Sequence, residues 1–138
     1  MKIISHRGNL NGPDLKLENN PFHITHLLKK YDVEVDVWVN KNGIFLGHDE
    51  PQYEISNEFF ISNGLWCHAK NLDAFNFLIS ERTNCFFHDK DDFTLTYNKF
   101  IWTYPDKQVC ENSVIVDLSK NWKDKNYKSY GVCVDYIL

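Results

Sequence analysis

The chain has 138 residues, of which 43% are hydrophobic, 25% charged and 15% aromatic. This length gives one domain, 1–138, able to bury roughly 68–70% of its unfolded surface, and the composition excludes a disordered chain. With a net charge of −4 and no basic stripe, nucleic acid is not expected as a partner, and no apolar run reaches the roughly 18 residues of a membrane span.

The first residues, Met1 to Arg7, carry no long apolar stretch and do not read as a secretory signal. Cysteines stand at 67, 85, 110 and 133 with no C-x-x-C pair, which argues against a zinc–thiolate site. Cys67, Cys85 and Cys133 lie in apolar stretches that read as strands, where a free cysteine acts as a small hydrophobe. A reduced, cytoplasmic protein is expected.

In chain order, Lys2–Ser5 reads as a first strand. Asn20-Pro21 opens a helix, with asparagine as N-cap and proline at the first helical position. Phe22, Leu27, Leu28 and Tyr31 are expected on its buried face. Val33–Val39 is a strand, Asn42-Gly43 a tight turn, and Ile44–Leu46 a short extended segment. Leu65–Lys70 is the next strand. Asn71 caps a second helix with Leu72, Phe75, Leu78 and Ile79 on one face. Further strands are expected at Asn84–Phe87, Lys99–Thr103, Ser113–Leu118 and Gly131–Tyr136. The first half alternates strand and helix and predicts an α/β fold with parallel strands. In the second half only about ten residues separate the strands, fewer than the dozen or so a helical crossover needs. Helices there should be short, replaced by loops, or absent.

Strand geometry then gathers the polar residues. In Val33-Glu34-Val35-Asp36-Val37-Trp38-Val39 the valines share one face and Glu34, Asp36 and Trp38 the other. Carboxylates two residues apart lie about 7 Å from each other, within bridging range of a divalent cation. A solvated polar face fits the same pattern. The rule also places Trp66, His68 and Lys70 on one face. His6-Arg7 ends the first strand, and His48-Asp49 follows the Asn-Gly turn. Strand ends and the loops after them therefore carry most of the titratable groups, which is where parallel α/β sheets bind ligands. Such a set suits phosphate-ester chemistry. Arginine binds the anion, a carboxylate-held metal supplies Lewis acidity, and histidines move protons near neutral pH.

These residues carry a resemblance. His6-Arg7-Gly8, Glu18-Asn19, Glu34-x-Asp36, Asn42-Gly43 and His48-Asp49, in this order and spacing, resemble the glycerophosphodiester phosphodiesterase family. That family belongs to the PI-PLC-like phosphodiesterases of TIM-barrel fold. The signature covers residues 6–49. Ile101-Trp102-Thr103 and Gly131 to Asp135 are similar, more weakly, to later barrel segments. The resemblance implies a reduced or incomplete TIM-like (β/α) barrel with several helices missing in the C-terminal half.

It also implies roles. His6 and His48 would be the catalytic acid/base pair, Arg7 and Lys70 would bind phosphate, and Glu34 and Asp36 would hold a divalent metal. Glu18 and Asn19 would border the site. The family usually has Glu-x-Lys on the next strand, whereas this chain has His68-Ala69-Lys70. His68 would then be the third metal ligand. Magnesium, calcium or manganese is expected, with zinc admitted by the imidazole. Asp49 and Trp102 join the site border. His88 or Asp91, after the fourth core strand, completes the pocket or else belongs to an acidic solvated loop. Trp38, Trp66, Trp102 and Tyr104 are candidates to line the mouth.

The expected function is metal-dependent hydrolysis of a small glycerol-type or lipid-derived phosphodiester. Two alternatives stand beside it: a non-catalytic degenerate barrel that binds a phosphorylated sugar or headgroup, and a lyase-like enzyme that releases a cyclic phosphate. Apolar strand flanks left without helices predict a homodimer.

Overall fold

A computed structural model describes all residues, 1–138. The chain is mostly sheet. Its strands are β1 (Lys2–His6), β2 (Asp32–Asn40), β3 (Gly43–Leu46), β4 (Tyr53–Ile55), β5 (Leu65–Ala69), β6 (Cys85–Phe87), β7 (Phe93–Leu95), β8 (Ile101–Thr103), β9 (Ser113–Val116) and β10 (Gly131–Val134). The α-helices are α1 (Pro21–Leu27) and α2 (Leu72–Ser80), of 7 and 9 residues. Single 3-10 turns occur at Asn57–Ile61 and Trp122–Lys125.

The strands join one mixed sheet. Strands β6, β5, β2, β1, β10, β9 and β8 run parallel in that order. Antiparallel β3 and β4 extend β2, and antiparallel β7 extends β8. The sheet curls into a half-barrel. Its ends approach where the Tyr97 N–H donates to the Cys85 carbonyl at 2.8 Å and the Thr94 hydroxyl to the Phe87 carbonyl at 3.1 Å.

This architecture corrects the expected (β/α) barrel. Alternating helices do not ring the sheet; only α1 and α2 pack on it. The reason is local. The connection from β8 to β9 is too short for a crossover helix, and the longer one from β9 to β10 is too weakly periodic, so a loop and one 3-10 turn join these parallel neighbours. Strands β4 and β7 lie where no element is expected from the sequence.

The helix caps form as their sequences require. The Asn20 side chain accepts from the N–H groups of Phe22 and His23, and the Asn71 side chain from that of Ala74. The Asn-Gly turn pairs Asn40 with Gly43 across the β2–β3 hairpin. The helix faces differ in part from expectation. Ile24 and Leu27 are buried on α1, while Phe22 is 90% exposed. On α2, Ala74 and Leu78 are buried, while Leu72 and Ile79 face outward. Helices this short cover only one turn's width of sheet, so residues at the rim of the apolar stripe stay in solvent.

Three clusters form the core. Val33, Val35, Val37, Leu65, Cys67 and Ala69 lie under α1 and α2. Ile115, Val132 and Val134 are covered by Trp122 and Ile137 rather than by a helix. Inside the curl, Ile4, Trp66, Phe86, Trp102, Val114 and Cys133 make a third layer. There the Phe86 ring stacks on Trp102 at 4.4 Å, and Trp66 lies 5.9 Å from Trp102. This aromatic layer is the floor on which the polar groups stand. All four cysteines are free, with Cys67, Cys85 and Cys133 buried. No helix is long and apolar enough to cross a membrane.

Candidate functional site

Parallel register assembles the site. It sets His6 beside Glu34 and Asp36 beside His68 on neighbouring strands, one layer above the aromatic floor. Both faces of β2 are buried, so the solvated-face reading of Glu34 and Asp36 fails: they are 2% and 0% exposed inside the curl. A cleft of about 320 Å³ opens above them. Its polar side includes His6, Arg7, Glu34, His48, His68, Lys70 and His88, and Trp102, Tyr104, Val116 and Leu118 form an apolar wall.

Each histidine of the expected acid/base pair is anchored by one ring nitrogen. His6 Nδ1 donates to Asp135 Oδ1 at 2.7 Å, and His48 Nδ1 donates to Asp49 Oδ1 at 2.7 Å. In both rings Nε2 is thereby left to exchange a proton. Burial opposes protonation of His6, but the bond to Asp135 and the charge of Glu34 outweigh it and raise its pKa. Burial likewise works against the Asp135 carboxylate, yet the His6 contact holds its pKa below the ordinary value. Asp135 also accepts from Asn9 Nδ2 at 2.8 Å. Asn9 and Asp135 were not legible as site residues. The signal available was that Asp135 follows the strand paired with β1 and so lies level with His6.

Arg7 reaches the carboxylates through an unusual backbone. Its φ is +56°, a left-handed conformation costly for a side chain of this size. The Arg7 N–H donates to the Glu34 carbonyl at 3.0 Å and to Glu34 Oε2 at 3.2 Å, which holds it there. Arg7 Nε then stands 3.3 Å from Asp36 Oδ2, and Nη1 3.7 Å from Glu18 Oε2. Asn19, also left-handed, clamps Asp36 twice: Nδ2 donates to Oδ2 at 2.9 Å, and Oδ1 accepts the Asp36 N–H at 2.9 Å. Lys70 Nζ is 3.8 Å from Asp36 Oδ1. Glu18 and Asn19 therefore sit behind the cleft as supports of Arg7 and Asp36.

The carboxylates differ in charge tendency. Burial, then the Asp36 charge, pushes the Glu34 pKa up. Burial also acts on Asp36, but His68, Arg7 and Asn19 outweigh it and lower its pKa. One oxygen of Glu34, one of Asp36 and a ring nitrogen of His68 lie within 4.8 Å of one another, a donor set that fits a divalent metal ion. Asp36 Oδ1, fully buried, has no hydrogen-bond partner. An acceptor left open in this way is what a metal ligand requires.

Other expected members lie elsewhere. Asp91 is exposed, accepts from the Asp89 N–H at 3.4 Å and lies 3.8 Å from His88. Asp49 is exposed and acts through His48. Trp102 and Tyr104 line the cleft, but Trp66 and Trp38 do not. Trp66 points to the opposite end of the sheet, where Nε1 donates to Asp32 Oδ2 at 2.9 Å. Trp38 Nε1 donates to the Gly47 carbonyl at 2.7 Å and fixes the start of the His48 loop. Alternation along a strand gives the face of a side chain and not its height, so Trp66, two residues before His68, lies a layer below it.

No protein-family model matches the sequence, and no curated protein or solved structure is significantly similar to it.

Proposed function

We propose that the chain is a metal-dependent phosphodiesterase acting on a small glycerol-type or lipid-derived phosphodiester, in keeping with the resemblance of residues 6–49. One observation carries this reading. Two histidines, each anchored through Nδ1 by a carboxylate, line one cleft with Arg7, Lys70 and Glu34, and the buried Asp36 lies against Arg7 and His68. Anchoring fixes the tautomer and aims Nε2, as general acid–base catalysis requires.

Arg7 and Lys70 would hold the phosphate anion. One histidine would take the proton of the attacking water or hydroxyl as its oxygen bonds to phosphorus. The other would give a proton to the alcohol as its P–O bond breaks. A divalent ion held by Glu34, Asp36 and His68 would add Lewis acidity toward a phosphate oxygen. The buried free cysteines support a reducing, cytoplasmic setting for this activity.

A second reading, binding of a phosphorylated sugar or headgroup without turnover, is favoured by one feature. Asp36 already has Arg7, His68 and Lys70 around it, so its charge is balanced by the chain alone.

Metal-stripped protein, titrated calorimetrically with magnesium, calcium, manganese and zinc and then screened on glycerophosphodiesters, tests the proposal. Ion binding lost in the Glu34→Gln/Asp36→Asn double variant, with turnover lost in His6→Ala, is expected. A His6→Ala variant hydrolysing at the wild-type rate sinks the acid/base assignment. Phosphate binding without turnover under any ion selects the second reading. Phosphorus NMR of the product separates hydrolysis from release of a cyclic phosphate.

A further inference from the structure

We infer that the ion position at the base of the cleft is selective for a divalent ion that accepts imidazole nitrogen, such as manganese or zinc, over magnesium and calcium. The inference rests on the reading of Glu34, Asp36 and His68 as an ion site, and its ground is the way the His68 ring is held with Nδ1 toward both carboxylates.

The His68 ring is held on two sides. It stacks on Phe86 at 5.1 Å with an interplanar angle of 11°. Its Nε2 lies 3.1 Å from the main-chain carbonyl of His88. A carbonyl only accepts, so Nε2 carries the proton and donates it. In the neutral ring the lone pair is then on Nδ1. That nitrogen is 3.2 Å from Asp36 Oδ1 and 4.0 Å from Glu34 Oε1.

With the ring neutral, three acceptor atoms face one point; with Nδ1 protonated the ring pairs with Asp36 instead, and a bound ion takes the place of that proton. The opposite oxygens of the carboxylates are already engaged. Asp36 Oδ2 accepts from Asn19, and Glu34 Oε2 accepts from the Arg7 N–H. These bonds prevent either carboxylate from turning its open oxygen away. Lone pairs at these separations repel unless a positive charge lies between them.

The surroundings of the ring match those of a metal-ligating histidine. Such a ring usually donates its second N–H to a carboxylate or backbone carbonyl, which fixes orientation and raises the basicity of the ligating nitrogen. The donor set is one nitrogen with two carboxylate oxygens. Magnesium and calcium favour all-oxygen surroundings, whereas manganese and zinc accept imidazole. The short β6 strand and the turn after it set the preference, because Phe86 and His88 together hold the ring.

The test uses the metal-free full chain. Each ion is titrated separately by calorimetry, with 15N-labelled histidine followed by NMR. Manganese and zinc are expected to bind at least about tenfold more tightly than magnesium or calcium, as the nitrogen ligand predicts. Zinc should move the His68 Nδ1 resonance while Nε2 keeps its proton. His68→Gln should abolish the preference. His68→Glu, which restores an all-oxygen set, should shift it toward magnesium and calcium, and circular dichroism checks that both variants fold.

Equal affinity for magnesium and manganese overturns the inference. So does zinc binding untouched by His68→Gln, or a His68 Nδ1 that stays protonated and takes no ion. Turnover in magnesium alongside equal affinities removes the selectivity and spares the phosphodiesterase reading. Selective binding without turnover under any ion does the reverse.

Discussion

Asp135→Asn isolates the charge behind His6 while leaving its geometry in place. The native Oδ1 accepts from both His6 Nδ1, at 2.7 Å, and Asn9 Nδ2, at 2.8 Å. An amide oxygen at the same position can accept both bonds, so the variant removes the negative charge and little else. A hydrogen bond to a charged group contributes about 1.5–3 kcal/mol and one between neutral groups about 0.5–1.5 kcal/mol. The protonated form of His6 should therefore lose about 1–1.5 kcal/mol, which is about one pKa unit. The His6 pKa is raised in the folded wild type, so the contribution is full below the unfolded value of 6.5 and is lost as pH rises through the folded value. Seen from Asp135, whose pKa is lowered, the same contribution appears above the unfolded value of 3.8 and is lost as pH falls through the folded one. The variant should be destabilised most between these limits and less in alkali, where the neutral ring keeps its hydrogen bond but not its charge. Denaturant unfolding at about pH 5.5 and about pH 8.5 reads the difference, and histidine NMR reads the His6 midpoint directly. A stability loss equal at both pH values, or an unmoved His6 midpoint, refutes the reasoning.

Other consequences follow from particular contacts. Phe86 is fully buried, stacked on Trp102 and under His68, so Phe86→Ala should lose about 3–5 kcal/mol of stability in denaturant melts. A loss below about 1 kcal/mol would mean that the aromatic floor is not packed as described. Asp117 is buried against solvent, but Lys125, Ser119 and Tyr127 outweigh that and lower its pKa to about 2. Tyr127→Phe removes the 2.7 Å bond from the Tyr127 hydroxyl to Asp117 Oδ2 and should destabilise by about 1 kcal/mol. That loss should be present above the unfolded value of 3.8 and fade as pH falls toward about 2, as acid unfolding curves can show. A side chain at Gly47 would meet the Glu50 carbonyl, so Gly47→Ala should move the loop that carries His48 and Asp49. The expected result is turnover lowered at least about tenfold with the core melting unchanged, since a misplaced acid–base group forfeits most of its contribution. Wild-type turnover in this variant would remove His48 from the reaction.

The sequence was most informative where local chemistry decides structure. Asn20, Asn71 and the Asn42-Gly43 turn satisfy backbone groups within a few residues of themselves, so caps and hairpin form where those residues stand. Period-two alternation separated Glu34 and Asp36 from the valines, and His68 from Cys67, because successive side chains on a strand must point to opposite faces. Alternation put the acidic pair on one face of its strand and His68 on one face of the next; that His68 joins the pair as a third ligand came from the resemblance.

Alternation could not show what that face meets. The curl of the sheet turned it inward, and only the parallel register of β1, β2 and β5 brought His6, Glu34, Asp36 and His68 to one height. Asp135 reaches His6 across 129 positions of sequence, a partnership no local pattern encodes. The barrel with alternating helices failed for a related reason. Helix-poor connections look alike in sequence whether a sheet closes or curls, and the choice rests on long-range pairing such as β1 with β10. The amino-acid sequence by itself set the faces, caps and turns, because those depend on neighbours along the chain. The tertiary structure decided the depth, partners and tautomers of the polar groups, because those depend on strands that meet only after folding.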